Sequence, residues 1–167
     1  RYPSRFEASY GELMRAKLGL TIAREEDPAL VGDMLAIMAA NRVDFTRWFR
    51  SLGDLPSQAT VAPDWLRTLV HDGERLDHWV KRYSERLRVE ALPDPERQAA
   101  TRRVNPKYVL RNYLAHHAIE RAQAKNYSEI ERLWTLLRHP YDEQPELGRY
   151  ASSAPAWARD LTVSCSS

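Results

Sequence analysis

The chain has 167 residues, of which 43% are hydrophobic and 29% charged, a composition typical of one globular domain. This composition excludes a collagen, a disordered tail and a disulfide-rich mini-protein. The net charge is only +2, so we expect no broad electrostatic attraction to nucleic acid or anionic lipid. No apolar run approaches the ~20 residues that span a bilayer.

The first third of the chain predicts three helices. The first begins at a Ser4 cap and ends at Gly19, a residue suited to the left-handed turn after a helix. Asp27-Pro28 predicts the start of the second, and Asp44 caps a short third helix that Gly53 ends. The apolar faces that we expect to be buried in these helices are Phe6/Tyr10/Leu13/Met14/Leu18, Leu30/Val31/Met34/Leu35/Met38 and Phe45/Trp48/Phe49/Leu52.

The middle of the chain predicts a loop, a short segment and two helices. Residues 54–63 contain two prolines and are expected to form the loop, and the short segment of residues 64–70 breaks at Asp72-Gly73. The next helix carries an apolar stripe of Leu76, Trp79, Val80, Tyr83 and Leu87. Asp94-Pro95 opens a further helix, which must end before Asn105 because a residue that precedes proline avoids the α region.

The last third predicts two helices and a tail. Asn105-Pro106 is expected to start a long helix over residues 106–125, and Ser128 and Glu131 to form a capping box for the next helix. His139-Pro140 ends that helix. The sequence therefore predicts an all-α fold of about seven or eight helices, with a compact helical domain at 1–139 and an irregular C-terminal tail at 140–167.

Motifs that carry chemistry are scarce. The chain has no glycine-rich phosphate-binding loop. Asp44-Phe45-Thr46 is superficially similar to a kinase metal-binding motif, but its place at a helix start favours capping. His116 and His117 point about 100° apart on a helix and cannot readily share one metal ion. We therefore assign no catalytic, cofactor-binding or metal-ligating residue within this chain.

One basic run is typical of a nucleic-acid interface. It consists of Arg97, Arg102, Arg103, Lys107 and Arg111, with Tyr108 and Tyr113 nearby. However, 21 of the 25 basic residues are arginine, and carboxylates lie close in sequence. An ordinary solvated surface is therefore favoured, and we expect no nucleic-acid partner and no membrane. A stand-alone helical module for protein interaction is the alternative function.

Several stretches carry a family resemblance. Residues 105–122 read NPKYVLRNYLAHHAIERA, and residues 155–167 read PAWARDLTVSCSS. Both resemble signatures near the C-terminus of the selenoprotein O family, and the PYDEQP of residues 140–145 fits the family pattern between them. Residues 14–20 and 44–52 are also similar to the family, so the resemblance covers essentially the whole chain.

The resemblance implies a kinase-like pseudokinase enzyme that transfers AMP from ATP to Ser, Thr or Tyr hydroxyls of proteins. It also implies that ATP and Mg²⁺ (or Mn²⁺) are held by residues upstream of this region, so no catalytic residue is carried over here. The chain starts at Arg1 rather than Met, and we interpret it as a processed or truncated C-terminal part of such a protein. The expected partners are the N-terminal kinase-like part of the same polypeptide and the enzyme's protein substrates.

Two local features follow from the same resemblance. Cys165, the single cysteine, occupies the position where some family members carry selenocysteine, and in the family this residue can pair with a cysteine of the activation segment. A redox switch is implied, with Cys165 a free thiol in this chain, and a lone cysteine also fits a reducing bacterial cytoplasm. Where many members have Gly-Asp, this chain has Lys125-Asn126-Tyr127, and we expect Asn126 to take the left-handed turn.

Overall fold

Prolines and cap residues divide the chain into eight α-helices and two short 3₁₀ helices among the residues described by this computed structural model, which are 2–158 and 161. No β-strand occurs in those residues, so the predicted all-α fold is confirmed. The helices are α1 Tyr2–Leu18, α2 Asp27–Ala40, α3 Phe45–Leu52, α4 Asp64–Arg67, α5 Gly73–Glu90, α6 Asp94–Val104, α7 Asn112–Gln123 and α8 Ser128–Arg138. The 3₁₀ helices are Pro145–Ala151 and Ala156–Ala158.

The chain divides into two compact units, Arg1–Asn105 and Pro106–Ser167. Each unit has its own cluster of buried apolar side chains. The boundary predicted after residue 139 falls inside the second unit, where Tyr150 is buried together with Leu133 and Leu136. No described helix has the length and hydropathy needed to cross a membrane.

An aromatic row forms the centre of the first unit. The ring centroids of Trp48 and Trp79 are 5.8 Å apart, and those of Trp79 and Tyr83 are 4.9 Å apart. Trp79 Nε1 donates to Leu30 O at 2.9 Å, and Tyr83 Oη donates to Leu18 O at 2.6 Å. These bonds satisfy the polar atoms of Trp79 and Tyr83, so burial of these two rings stabilises the unit by on the order of 1.5–3 kcal/mol for a large side chain. The buried Nε1 of Trp48 has no hydrogen-bond partner.

The helix starts expected at aspartates are only partly confirmed. Asp44 caps α3 as predicted, because its carboxylate accepts from Arg47 N at 2.9 Å. Asp27 does not cap α2: Glu26 occupies the cap position and Asp27 lies in the first turn. The reason is that the Asp27 carboxylate is engaged elsewhere, by Arg24 N at 3.0 Å and by the guanidinium of Arg86.

The long helix predicted over residues 106–125 is wrong in its first third. The segment from Pro106 to Arg111 is irregular, and α7 begins at Asn112. Lys107 N and Tyr108 N both donate to Pro140 O, at 2.8 and 3.1 Å. These bonds to a distant carbonyl replace the first helical turn, and Tyr108 is buried beside them with its hydroxyl on Gln144 O.

The turn between α7 and α8 also differs from the prediction. Lys125 (φ 59°), and not Asn126, takes the left-handed conformation. The capping box of Ser128 and Glu131 does not form, because α8 starts at Ser128 itself. Asn126 Oδ1 accepts from Ser128 N at 3.1 Å and from its hydroxyl at 2.7 Å, so the asparagine holds the turn through its side chain.

Candidate functional site

Buried charges in the first unit are the first candidates for chemistry, and they are centred on Arg86. Its Nε donates to Asp27 Oδ1 at 2.8 Å, and its Nη1 donates to Glu90 Oε1 at 2.7 Å. All three side chains are at most 3% exposed. Arg86 Nη2 also donates to Ile22 O, which fixes the loop between α1 and α2 against the end of α5.

Glu90 receives donors from that same loop. Its carboxylate accepts from Thr21 N at 2.9 Å, from the Thr21 hydroxyl and from Ile22 N at 3.3 Å. Burial opposes ionisation of Glu90, but the hydrogen bonds from Thr21, Arg86 and Ile22 outweigh it and lower its pKa. An ionised carboxylate whose oxygens are all hydrogen-bonded within the chain serves a structural role. Glu90 is therefore a poor candidate for a general acid or for a metal ligand.

A second buried arginine, Arg97, belongs to the basic run. It is 1% exposed and donates to Leu52 O at 3.2 Å, to Leu55 O and to Asp94 Oδ1 at 3.1 Å. Arg97 therefore binds carbonyl oxygens at the C-terminal end of α3, and its buried side chain cannot contribute to a nucleic-acid-binding surface.

Other members of the basic run are paired with carboxylates. Arg102 Nη2 lies 3.0 Å from Asp54 Oδ1, and Lys107 Nζ pairs with Glu143. Together with the burial of Arg97, these pairings favour an ordinary solvated surface over a nucleic-acid interface. That the chain binds no nucleic acid stays a prediction.

The adjacent histidines lie on α7 in different surroundings. His116 Nε2 is 3.3 Å from Glu120 Oε1, and its ring centroid is 6.4 Å from that of Trp157. His117 is exposed. In the described part of the chain no three His, Cys, Asp or Glu side chains are placed to hold a metal ion together. Cys165, the predicted redox position, lies outside the described residues.

Apolar surface is the feature that the sequence interpretation missed. Phe6, Tyr10 and Leu13 were expected in the core, yet they are 60%, 42% and 64% exposed. Only Met14 and Leu18, toward the end of α1, are buried as predicted. The periodicity correctly identified the apolar side chains of the helix, but a sequence pattern cannot show how far along its length a helix meets its neighbours.

A second exposed apolar stripe lies on α8 and the turn before it. Tyr127, Ile130 and Trp134 follow helical spacing and are 56%, 45% and 68% exposed, whereas Leu133 and Leu136 are buried. Contiguous apolar surface of this kind marks interaction sites more often than isolated exposed residues do. The apolar side chains of α1 and of α8 are thus the surface features of the described residues that favour an interaction role.

The class of protein that this helical region belongs to is given by comparison with known families. The family described as Protein adenylyltransferase SelO matches residues 1–138, which is most of the chain. The chain therefore belongs to the selenoprotein O family, as the sequence motifs indicated.

Individual relatives show how much of a family protein this chain represents. It is 48% identical over 167 residues to Protein nucleotidyltransferase YdiU of Burkholderia pseudomallei (strain 1710b). It is 47% identical over 167 residues to the protein of that name from Thioalkalivibrio sulfidiphilus. Each alignment covers 100% of this chain but only 32% and 34% of the relative, so the chain spans about a third of their length.

Proposed function

We propose that this chain is the C-terminal helical region of a longer protein adenylyltransferase, and that the rest of that polypeptide carries out AMP transfer. The transfer moves AMP from ATP to Ser, Thr or Tyr hydroxyls of proteins, with Mg²⁺ or Mn²⁺ as the metal, in a bacterial cytoplasm. The observation that carries the proposal is the match of the whole chain to nucleotidyltransferases three times its length.

The contacts within the first unit support a scaffolding role. The carboxylates Asp27 and Glu90 are committed to Arg86, and Asp94 accepts from Ser57 N and Arg97. Each of these carboxylates joins segments that are separate in the chain: Asp27 and Glu90 bind Arg86 of α5 and residues of the loop before α2, and Asp94 binds the loop at Ser57. We propose that this chain contributes no step to the transfer itself.

The exposed apolar surfaces of α1 and α8 also support a scaffolding role. Large apolar side chains left in water cost free energy that burial against another surface would recover, on the order of 25 cal/mol per Å². A region whose task is to support the rest of a polypeptide needs such surfaces. A stand-alone interaction module would need them too, which makes that module the second candidate function.

Labelling with radioactive ATP tests the proposal. The full-length protein is incubated with a generic protein acceptor and MgCl₂ or MnCl₂, once with [α-³²P]ATP and once with [γ-³²P]ATP. We expect protein-bound label from the α-labelled nucleotide alone, because AMP transfer retains the α-phosphate and phosphorylation the γ-phosphate. Residues 1–167 by themselves are expected to give no label. Labelling by the isolated chain, or no α-label from the full-length protein, would overturn the proposal.

The coding sequence separates the two candidate functions. The proposal expects an open reading frame that continues upstream of Arg1 into a kinase-like region. A frame that starts near Arg1 would establish the stand-alone module instead.

The redox role of Cys165 is a separate part of the proposal. We propose that its thiol regulates the full-length enzyme by reversible disulfide formation with a cysteine of the activation segment, two thiols being oxidised to one disulfide by a thiol oxidant. Cys165→Ser should abolish any oxidant-dependent change in AMP transfer and leave the activity under reducing conditions unchanged. Oxidant sensitivity that persists in this variant contradicts the switch.

A further inference from the structure

Helices α1 and α2 enclose an open apolar groove of about 420 Å³. The apolar side chains along it are Phe6, Tyr10, Met14, Pro28, Val31 and Leu35. Phe6 and Tyr10 stand one turn apart on α1 with stacked rings, their centroids 6.1 Å apart, and both are substantially exposed. Exposed aromatics beside an apolar depression are typical anchors of a protein interface.

Gly32 is an unusual residue for the middle of α2. Glycine in a helix interior costs roughly 0.5–1 kcal/mol relative to alanine, so its presence calls for a packing reason. A Cβ built on Gly32 would meet nothing within 4 Å, so no neighbour in this chain requires the missing side chain. Gly32 lines the groove, and the open space above it is where a second backbone could approach closely.

The charges beside the groove define the chemistry of its occupant. Glu7 and Arg15 both line it from α1, one negative and one positive, and Asp27 is already bonded to Arg86. The net field is therefore small and the remaining surface apolar. Small-molecule sites fix their ligands with convergent polar groups, whereas this groove offers length and apolar contact, which fit an amphipathic helix.

We propose that the groove between α1 and α2 seats an amphipathic helix contributed by the part of the same polypeptide that lies outside this chain. The inference rests on the proposed function. The relatives are three times as long as this chain, so the larger part of such a polypeptide is available to cover it. A tethered segment has an effective concentration in the millimolar range, so a small groove suffices.

A second copy of the chain is a poorer fit. Stable interfaces between separate proteins use about 20–30 residues on each side, whereas eleven residues line the groove. The groove by itself is too small to hold two free molecules together.

Thiol accessibility in the full-length protein tests the inference. Cysteine is introduced at Tyr10 or Gly32, which line the groove, and at Ser9 or Ala29, exposed controls on the same helices but on other faces. Iodoacetamide labelling of each peptide is followed by mass spectrometry and normalised to the rate in denaturant. Tyr10→Cys removes an aromatic ring that the occupant would contact, so Gly32→Cys is included as a second groove position that keeps both rings.

We expect the cysteines of Tyr10→Cys and Gly32→Cys to be labelled about tenfold or more slowly than those of Ser9→Cys and Ala29→Cys. Equal labelling rates for Tyr10→Cys and Ser9→Cys, and for Gly32→Cys and Ala29→Cys, would overturn the inference. Protection that disappears when the protein is diluted would also overturn it, because it would identify a second copy of the chain as the occupant. AMP transfer by the same preparations keeps the two proposals apart. Rapid labelling of the groove cysteines in a protein that still transfers AMP would refute only the proposal about the groove. Absence of AMP transfer by the unmodified protein would refute the proposed function.

Discussion

Asn105 and Lys17 bind each other in both directions. Asn105 Nδ2 donates to Lys17 O at 2.8 Å, and Lys17 Nζ donates to Asn105 Oδ1 at 3.2 Å. The same ammonium lies 5.3 Å from the centroid of the Phe49 ring, and burial lowers its pKa. The residue expected to cap a long helix thus joins the end of α6 to the end of α1.

Asn105→Ala should destabilise the first unit by about 1–3 kcal/mol, because it leaves a partly buried carbonyl oxygen and a partly desolvated ammonium without their partner. The free energy of unfolding from urea titration, followed by tryptophan fluorescence, measures the loss. The exposed Gln58→Ala is the control and should change stability by less than about 0.5 kcal/mol. An Asn105→Ala variant as stable as this control would show that the reciprocal bonds contribute nothing.

Glu90→Gln should cost about 1–3 kcal/mol at pH 7, because the amide cannot replace a charge-assisted bond to Arg86. The pKa of Glu90 is lowered in the folded state, so its contribution is complete above the ordinary value of 4.5. It is then lost as the pH falls through the lower folded-state pKa. Urea titrations between pH 7 and pH 3 should therefore show the wild type converging on the variant. A stability difference that is constant over this range contradicts the assignment, and the exposed Glu85→Gln serves as control.

Gly19→Ala and Gly32→Ala should change stability in opposite directions. Gly19 has φ +72°, and a Cβ there would lie 2.8 Å from Arg97 Cγ and 2.9 Å from Thr101 Cγ2. We expect a loss of more than about 1 kcal/mol, since the backbone is strained and a buried arginine must move. Gly32→Ala enters open space on a helix and should gain about 0.5–1 kcal/mol in this chain. Thermal unfolding by circular dichroism compares the two, and shifts of the same sign would refute the argument.

Tyr150→Phe should destabilise the second unit by about 1–3 kcal/mol. The buried Tyr150 hydroxyl donates to Glu129 Oε1 at 2.7 Å, and Arg132 Nη1 lies 2.6 Å from Glu129 Oε2. Removing the hydroxyl leaves an oxygen of the Glu129 carboxylate, whose side chain is only 7% exposed, without its donor. Hydrogen exchange of the α8 amides measures the effect in that unit alone. Tyr127→Phe, on an exposed ring, is the matched control, and equal exchange in both variants would rule out the predicted contribution.

The fold class was accessible from sequence because helices are encoded locally. Asp72, like Asp44, caps its helix from the side chain, and Leu76, Trp79 and Tyr83 are buried at the spacing that predicted them. Pro106 correctly ended α6 before Asn105. Each of these signals depends on residues within a few positions of one another.

The predictions that were wrong concern interactions between residues that are far apart in the sequence. Tyr108 was expected in a helix, and bonds from its segment to Pro140, far along the chain, replaced the first turn. Asp27 was expected to cap α2, and Arg86 from another helix took its carboxylate. The Arg86–Glu90 pair, spaced i and i+4, is the signal that could have drawn attention to this buried centre.

The sequence by itself thus determined the all-α class, the approximate positions of the helices and the family, because caps, prolines and long motifs act over short distances in the chain. Only the tertiary structure decided which apolar faces are buried, which charges are neutralised and where a groove is left open. The physical reason is that burial and pairing depend on residues that are distant in sequence, and Phe6 and Met14 lie on one helix yet differ because only the latter meets the core.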